Sequence, residues 1–141
     1  EEGAPAPRLE ANFPAELKAD PAAQLWSAIE RRRISGYLSP LSLANLNYIL
    51  RRAPTKIPVR DVLKNLNRLF EIVPLTGEMV RRALESNLKD FEDALQWESA
   101  LASKAGFLLT RNASDFPASP AIPVLSCAEL IRRNPSLIAA P

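Results

Sequence analysis

Short apolar runs alternate with longer segments of helical periodicity along this chain, and this alternation limits the fold more than any other feature. Segment 59–70 shows it best, because its apolar side chains recur at spacings of three and four residues. Asp20–Pro21 and Ser39–Pro40 read as a helix N-cap followed by the first helical residue. We predict helices at 21–33, 40–52, 59–70, 77–86, 90–105 and 127–133. We predict strands at 34–39, 71–76, 107–110 and 122–126.

Helices that separate successive strands require crossover connections, and these favour parallel pairing. The predicted fold class is therefore α/β, a three-layer α/β/α sandwich with a mostly parallel sheet. The run FLLT at 107–110 is typical of a strand buried on both faces, and Gly106 is expected to end the helix before it. Pro74 places strand 71–76 at an edge of the sheet.

The domain organisation follows from composition. Residues 1–19 are rich in Pro and Ala and lack periodicity, so we interpret them as an irregular lead-in to one α/β domain over residues 20–141. The first residue is not methionine, and we expect the chain to be processed, cut or truncated upstream. No apolar run approaches the roughly 18 residues of a membrane span, and no signal peptide is visible, which predicts a cytoplasmic protein without membrane contact.

The absence of histidine and the single cysteine, Cys127, remove several kinds of chemistry. Ser-His and Cys-His catalysis, an internal disulfide and a cysteine zinc cluster are excluded. Cys127 lies in an apolar context and is interpreted as a small core residue. The net charge of +2 is too small to argue for nucleic acid by itself. If the chain is catalytic, carboxylates and a hard cation are its natural tools.

Carboxylates gather at two places that the topology can bring together. Asp90 and Asp93 open the helix 90–105, and Asp115 follows the strand 107–110. A crossover helix runs antiparallel to the strands, so its start lies at the carboxyl edge where functional groups collect in parallel sheets. Carboxylates placed close together repel one another unless a cation such as Mg²⁺ lies between them.

A capping role is the alternative for the same three residues. Asp90 is a suitable N-cap, and Asp93 occupies a position where the helix dipole favours negative charge. Asp115 could bond its own loop, as aspartates in turns do. Spacing alone leaves the metal site and the caps both open.

Four segments taken together resemble a known family: GYLSPLSLANLNYILRR, FEIVPLTGEMVRRALES, DFEDALQWESALASKAGFLLTRNASDF and IPVLSCAELI. They resemble the PIN domain, the fold of metal-dependent nucleases and of toxins from toxin–antitoxin pairs, over about residues 21–131. The most specific part is DFEDALQ followed by LLTRNASDF, which is similar to the third and fourth acidic motifs of that family. The resemblance implies hydrolysis of RNA phosphodiester bonds with Mg²⁺ or Mn²⁺ held by Asp93, Asp115 and Asp90.

The resemblance also implies roles for residues around the acids. Arg111 and Lys89 would meet the RNA backbone, and Asn112 would hold a water or a phosphate. Asn45 stands where the family has its second acid, and it keeps an oxygen ligand without the charge. The implied partners are RNA and an antitoxin protein. We also expect a dimer, because the apolar face left by a missing first strand would favour association.

The start of the chain departs from the family pattern. The family opens with a central strand that ends in an aspartate, and only Glu10 in LEAN faintly matches it, between prolines that disfavour a central strand. Two further functions therefore stay open beside the ribonuclease. One is a degenerate, catalytically impaired PIN domain that binds RNA or protein. The other is a structural or dimerisation module in which the acids are only caps.

Overall fold

The computed structural model of the protein describes residues 20–54, 56–119 and 121–140. The predicted lead-in 1–19 and the candidate Glu10 lie outside the described residues. The helices are α1 Pro21–Glu30, α2 Pro40–Arg51, α3 Val59–Leu69, α4 Gly77–Glu85, α5 Phe91–Ser103 and α6 Cys127–Arg133. The strands are β1 Gly36–Leu38, β2 Phe70–Ile72, β3 Leu108–Leu109 and β4 Val124–Leu125. Two 3₁₀ helices follow β3 and α6, at Ala113–Asp115 and Pro135–Ile138.

Side-chain caps begin most of these helices, and the caps predicted at Asp20, Ser39 and Asp90 are among them. Each capping oxygen accepts a hydrogen bond from a backbone N–H of the first helical turn, which satisfies a donor that the helix itself leaves free. The capping residues are Asp20 for α1, Ser39 for α2, Thr76 for α4, Asp90 for α5 and Ser126 for α6. Local sequence therefore determines where these elements start.

The end of α5 differs from the prediction that Gly106 terminates it. The helix ends at Ser103, and Lys104 takes the left-handed conformation with φ 56°. The N–H of Ala105 donates to the carbonyl of Ala100 at 3.1 Å, the six-to-one bond that accompanies a left-handed helix end. This bond closes the helix at Lys104, two residues before Gly106. Lysine therefore takes the left-handed conformation that glycine usually adopts at a helix end.

The strands form two parallel ladders in the part of the chain that the structure describes. In the first, Gly36 of β1 pairs with Phe70 of β2, and in the second, Leu108 of β3 pairs with Val124 of β4. This confirms a mixed α/β fold with parallel strands, although both ladders are short. Among the described strands β2 pairs with β1 and ends before Pro74, which is consistent with the edge position predicted for it.

A cavity of about 480 Å³ separates β1 from β3 and explains a wrong prediction about segment 107–110. Both strands line this cavity, together with residues of α1 and α5. Phe107 is 37% exposed and Leu109 is 41% exposed, so the run is not buried on both faces. Among the described strands β3 has one hydrogen-bonded neighbour, β4, and β3 also lines the cavity.

Two apolar clusters hold the helices in place. The first joins α1, β4 and α6 through Leu25, Leu125 and Leu130, and Cys127 packs against it, in agreement with its predicted packing role. The second joins α4 to α5. It consists of Ala83, Ala94 and Leu95, with Leu41 of α2 and Leu88 packed against it. The second cluster lies beside the first turn of α5 and fixes the position of that turn.

The described helices are also too short to cross a bilayer. None of those within residues 20–54, 56–119 and 121–140 combines the length and the apolar character of a membrane span.

Substitution of Gly36 by alanine is predicted to destabilise the fold. A Cβ atom at this position would lie 2.5 Å from Cδ1 and Cε1 of the Phe70 ring. Overpacking of this kind costs about 1–3 kcal/mol, which chemical denaturation followed by circular dichroism can measure. Gly77→Ala is the matched control, because nothing lies within 4 Å of its Cβ, and it should leave stability unchanged or raise it slightly. Equal stability of the two variants would contradict the close approach of β1 to Phe70.

Candidate functional site

Asp90 is the N-cap of α5. Its Oδ1 accepts a hydrogen bond from the backbone N–H of Asp93 at 2.9 Å. The bond confirms the capping interpretation for Asp90 and engages one of its two carboxylate oxygens. It also fixes the first turn of α5 relative to the chain that precedes it.

Asp93 is the third residue of α5, and its side chain is half-buried. Among the described residues, its carboxylate receives no hydrogen bond and forms no ion pair. Burial raises the pKa of Asp93 above its usual value, and the charges of Asp90, Asp115 and Glu92 raise it further. Capping explains Asp90, but it gives no role to the carboxylate of Asp93.

Asp115 ends the 3₁₀ helix that follows β3. Its backbone N–H donates to the carbonyl of Asn112 at 3.0 Å, and the N–H of Asn112 donates to Oγ1 of Thr110 at 3.2 Å. Backbone groups and a threonine hydroxyl thus close this turn, and the carboxylate of Asp115 stays exposed. The negative charge of Asp115 is one of the causes that raise the pKa of Asp93, after burial and the charge of Asp90.

Asp93 lines two cavities. One is the space of about 480 Å³ between the ladders, where Glu92 and Gln96 are its neighbours on α5. The other, of about 800 Å³, is lined by Asp90, Asp93 and Asp115 together. The structure therefore brings the three sequence-predicted acids to one cavity, with Asp93 at its border with the other.

Side chains of α2 contact the same turn of α5. The Nδ2 group of Asn45 donates to Oε1 of Glu92, and Nε2 of Gln96 donates to Oγ of Ser42 at 2.9 Å. Asn45 thus lies next to the acids, where the sequence analysis placed it. No site role was predicted for Glu92 or Gln96. The spacing of three residues between Asp93 and Gln96 is the signal that these two share a face of α5, whereas spacing gives no such signal for Glu92, which is adjacent to Asp93.

Of the three residues predicted to contact the substrate beside the acids, Lys89, Arg111 and Asn112, only the first lies at the acidic cavity. Lys89 lines the acidic cavity beside Asp90. Arg111 and Asn112 are exposed and do not line this cavity. The charge of Arg111 acts instead on Cys127, where it opposes the effect of burial, which raises the pKa of the thiol.

The donor set has the chemistry of a hard-cation site, but it is not a preassembled cage. No group of three or more acidic, histidine or cysteine side chains within residues 20–54, 56–119 and 121–140 is placed to hold one metal ion. Mg²⁺ needs fewer protein ligands than that, since it is usually bound through one or two carboxylates and keeps several waters. The carboxylates of Asp93 and Asp115, which form no ion pair among the described residues and line one cavity, fit this requirement.

Comparison with known proteins identifies the family. The family model described as PIN domain matches residues 13–114, so the chain belongs to the PIN domain family. Its members are generally nucleases and typically use divalent metal ions. The match includes Asn45, Asp90 and Asp93 and ends one residue before Asp115. No curated protein and no solved structure matches the chain.

Replacement of Asp93 by asparagine is predicted to stabilise the protein at neutral pH in the presence of a chelator. The folded state raises the pKa of Asp93 above its usual value of 3.8, so the folded protein binds this proton more tightly than the unfolded chain does. The charged form of Asp93 therefore opposes folding. The gain in stability of the asparagine variant should be complete once the pH exceeds the pKa of Asp93 in the folded protein, and it should vanish below the pKa of Asp93 in the unfolded chain. Thermal denaturation between about pH 3 and pH 7 measures this difference.

Asp61→Asn is the matched control for that measurement. Asp61 is also the third residue of its helix, α3, and loses the same interaction with the helix dipole. This control should lose stability by about 0.3–1 kcal/mol at neutral pH. If Asp93→Asn lost stability in the same way, the proposed crowding of negative charge around Asp93 would be wrong.

Proposed function

We propose that this PIN domain is a metal-dependent endoribonuclease, which hydrolyses RNA phosphodiester bonds with Mg²⁺ or Mn²⁺. The observation that carries the proposal is the state of Asp93. Its carboxylate is half-buried among three other acids and has no partner among the described residues. A charged carboxylate in this position destabilises the fold, and the described residues offer no interaction that compensates for it. Titratable groups whose pKa is perturbed by burial and by neighbouring charges cluster at functional sites.

In this proposal Asp93 and Asp115 hold the cation. Asp90 keeps Oδ1 on the backbone of α5 and adds its negative charge and its other oxygen to the site. A divalent cation bound there would polarise a phosphoryl oxygen and lower the pKa of an attacking water, which needs no histidine.

Neighbouring side chains orient the acids and meet the substrate. The hydrogen bonds of Asn45 to Glu92 and of Gln96 to Ser42 hold the first turns of α5 against α2, so Asp93 keeps its direction when a charged ligand enters. Lys89 borders the acidic cavity, where it can attract a phosphate. Arg111 and Asn112 extend the substrate surface outward from the turn that carries Asp115.

We extend the proposal to the architecture. The two ladders are taken as parts of one interrupted parallel sheet, with α1 and α5 bordering the gap between them. This arrangement would give the three-layer α/β/α sandwich that the sequence predicts, within a domain that starts at residue 20.

A protein partner is part of the same proposal, either an antitoxin or a second copy of the chain. Ile49 on α2 is 62% exposed and Leu84 on α4 is 68% exposed. Large apolar side chains at this exposure are candidates for contact with a protein partner. Binding of an antitoxin there would make the domain the toxin half of a toxin–antitoxin pair.

A degenerate domain that binds RNA without cleaving it is the second candidate. It is favoured by the uncharged Asn45 beside Glu92 and by the lack, in the described part of the chain, of three acids gathered around one point. Tight metal binding would count against this candidate, because two carboxylates and an amide hold Mg²⁺ weakly.

The test is cleavage of RNA by the purified chain with and without Mg²⁺ or Mn²⁺. Activity should require the metal, and Asp93→Asn should lower it at least about 100-fold, because even groups outside the ligand shell change activity 10- to 100-fold. Asp61→Asn, the same chemical change on α3, should retain activity. Full activity of the Asp93 variant would overturn the assignment, whereas RNA binding without cleavage by the unmodified chain would favour the second candidate.

A further inference from the structure

The exposed face of α3 carries cations at intervals of four residues. Arg60, Lys64 and Arg68 are all exposed, while Leu66 on the opposite face is 5% exposed. Residues four apart lie on one face of a helix, about 6 Å apart along its axis. α3 therefore presents a row of positive charge to the solvent and keeps its apolar side chains inward.

Further exposed cations flank this helix. Lys56 lies in the segment before α3, and Arg51 and Arg52 lie at the end of α2, which packs against α3. We call these residues the basic strip: Arg51, Arg52, Lys56, Arg60, Lys64 and Arg68. Between residues 51 and 69 the sequence has a single acid, Asp61.

Among the described residues the cations of the basic strip lack the ion pairs that those of α4 form. On α4, Arg82 forms an ion pair with Glu78 at 3.1 Å, and Arg81 forms one with Glu85 at 3.2 Å. Across residues 20–54, 56–119 and 121–140, no cation of the basic strip forms an ion pair. Surfaces that only keep a protein soluble usually mix acidic and basic side chains. The excess of cations on α3, in contrast to the ion pairs on α4, therefore points to an anionic partner.

An aromatic ring lies at one end of the strip. Tyr48 on α2 is 58% exposed, and the guanidinium of Arg52 lies over its ring at 4.2 Å from the centroid. One face of the ring is thus covered by a cation, which leaves the other face for a further planar group. Sites that bind single strands combine such rings with a positive track, because bases stack on the ring while phosphates follow the charges.

We propose that the basic strip binds the backbone of single-stranded RNA and that Tyr48 stacks one of its bases. The inference rests on the proposed ribonuclease function and adds a substrate-holding surface separate from the acidic site. An unpaired strand fits better than a duplex, because stacking on Tyr48 requires an exposed base. A membrane surface fits less well, since helices that lie in a bilayer interface insert an apolar face, and that of α3 is turned inward.

The experiment measures binding of a fluorescent single-stranded oligoribonucleotide of about 12 nucleotides by anisotropy, in a chelator so that cleavage does not interfere. The strip variant replaces four cations: Lys56→Gln, Arg60→Gln, Lys64→Gln and Arg68→Gln. The control replaces four exposed cations elsewhere: Arg81→Gln, Arg82→Gln, Arg132→Gln and Arg133→Gln. Both variants have a net charge of −2, that is +2 less four, so overall charge is matched. Circular dichroism checks that each remains folded.

The strip variant should lose affinity for RNA, and its affinity should depend less on the salt concentration. For single strands, the log of the association constant falls with the log of the salt concentration by about 0.7 per phosphate contact. Loss of four contacts should therefore reduce the magnitude of this slope by about 2.8, whereas the control should keep the slope of the unmodified chain. Tyr48→Leu should weaken binding of the single strand about fivefold or more, without a change in slope and without an effect on a duplex of equal length.

Three results would overturn the inference. If the strip variant and the control bind alike while the unmodified chain still cleaves RNA, the strip is not the RNA surface and the ribonuclease proposal stands. If the unmodified chain binds no RNA, both proposals fail. If it prefers phosphatidylserine vesicles or an acidic peptide to the oligoribonucleotide, the strip serves another partner.

Discussion

The hydrogen bond from the backbone N–H of Asp93 to the carboxylate of Asp90 is the interaction on which the candidate site depends. It caps α5, while Ala94 and Leu95 in the next positions pack into the second apolar cluster. The cap and the cluster together fix the direction of the first turn. Asp93 is therefore positioned at the cavity that Asp115 also lines.

The protein separates its charges by place. Within the part of the chain that the structure describes, acids that form no ion pair line one cavity, and cations that form no ion pair cover one face of α3. The net charge of +2 hides this separation, because the two groups largely cancel in the sum. In our account the first group holds a cation and the second holds a polyanion. A metal-dependent nuclease needs both, because its substrate is a polyanion that the acidic site alone would repel.

The sequence predicts the elements of this fold better than their extent. Capping residues and apolar spacing locate every described α-helix, because those signals act within a few residues. Strands are shorter than expected, and Leu109 is exposed, because burial of a strand depends on neighbours that no local pattern specifies. Lys104 ends α5 for a similar reason, since the bond from Ala105 to Ala100 decides the position.

The candidate site was predictable in outline only. Carboxylates at a helix start and after a strand led to Asp90, Asp93 and Asp115, which the structure places around one cavity. The contact of Asn45 with Glu92 joins two helices that are distant in sequence, so spacing could not reveal it. Whether Asp93 and Asp115 share one cation is a matter of side-chain geometry, and sequence position does not determine it.

Direct titration of the Asp93 carboxyl carbon by nuclear magnetic resonance tests the central claim, which is that these carboxylates share one electrostatic site. The account predicts a pKa above the usual value for aspartate, a lower one in Asp115→Asn, and a further decrease when Mg²⁺ is added to the unmodified protein. An Asp93 that titrates at the usual value, and that responds neither to the Asp115 substitution nor to Mg²⁺, would contradict it.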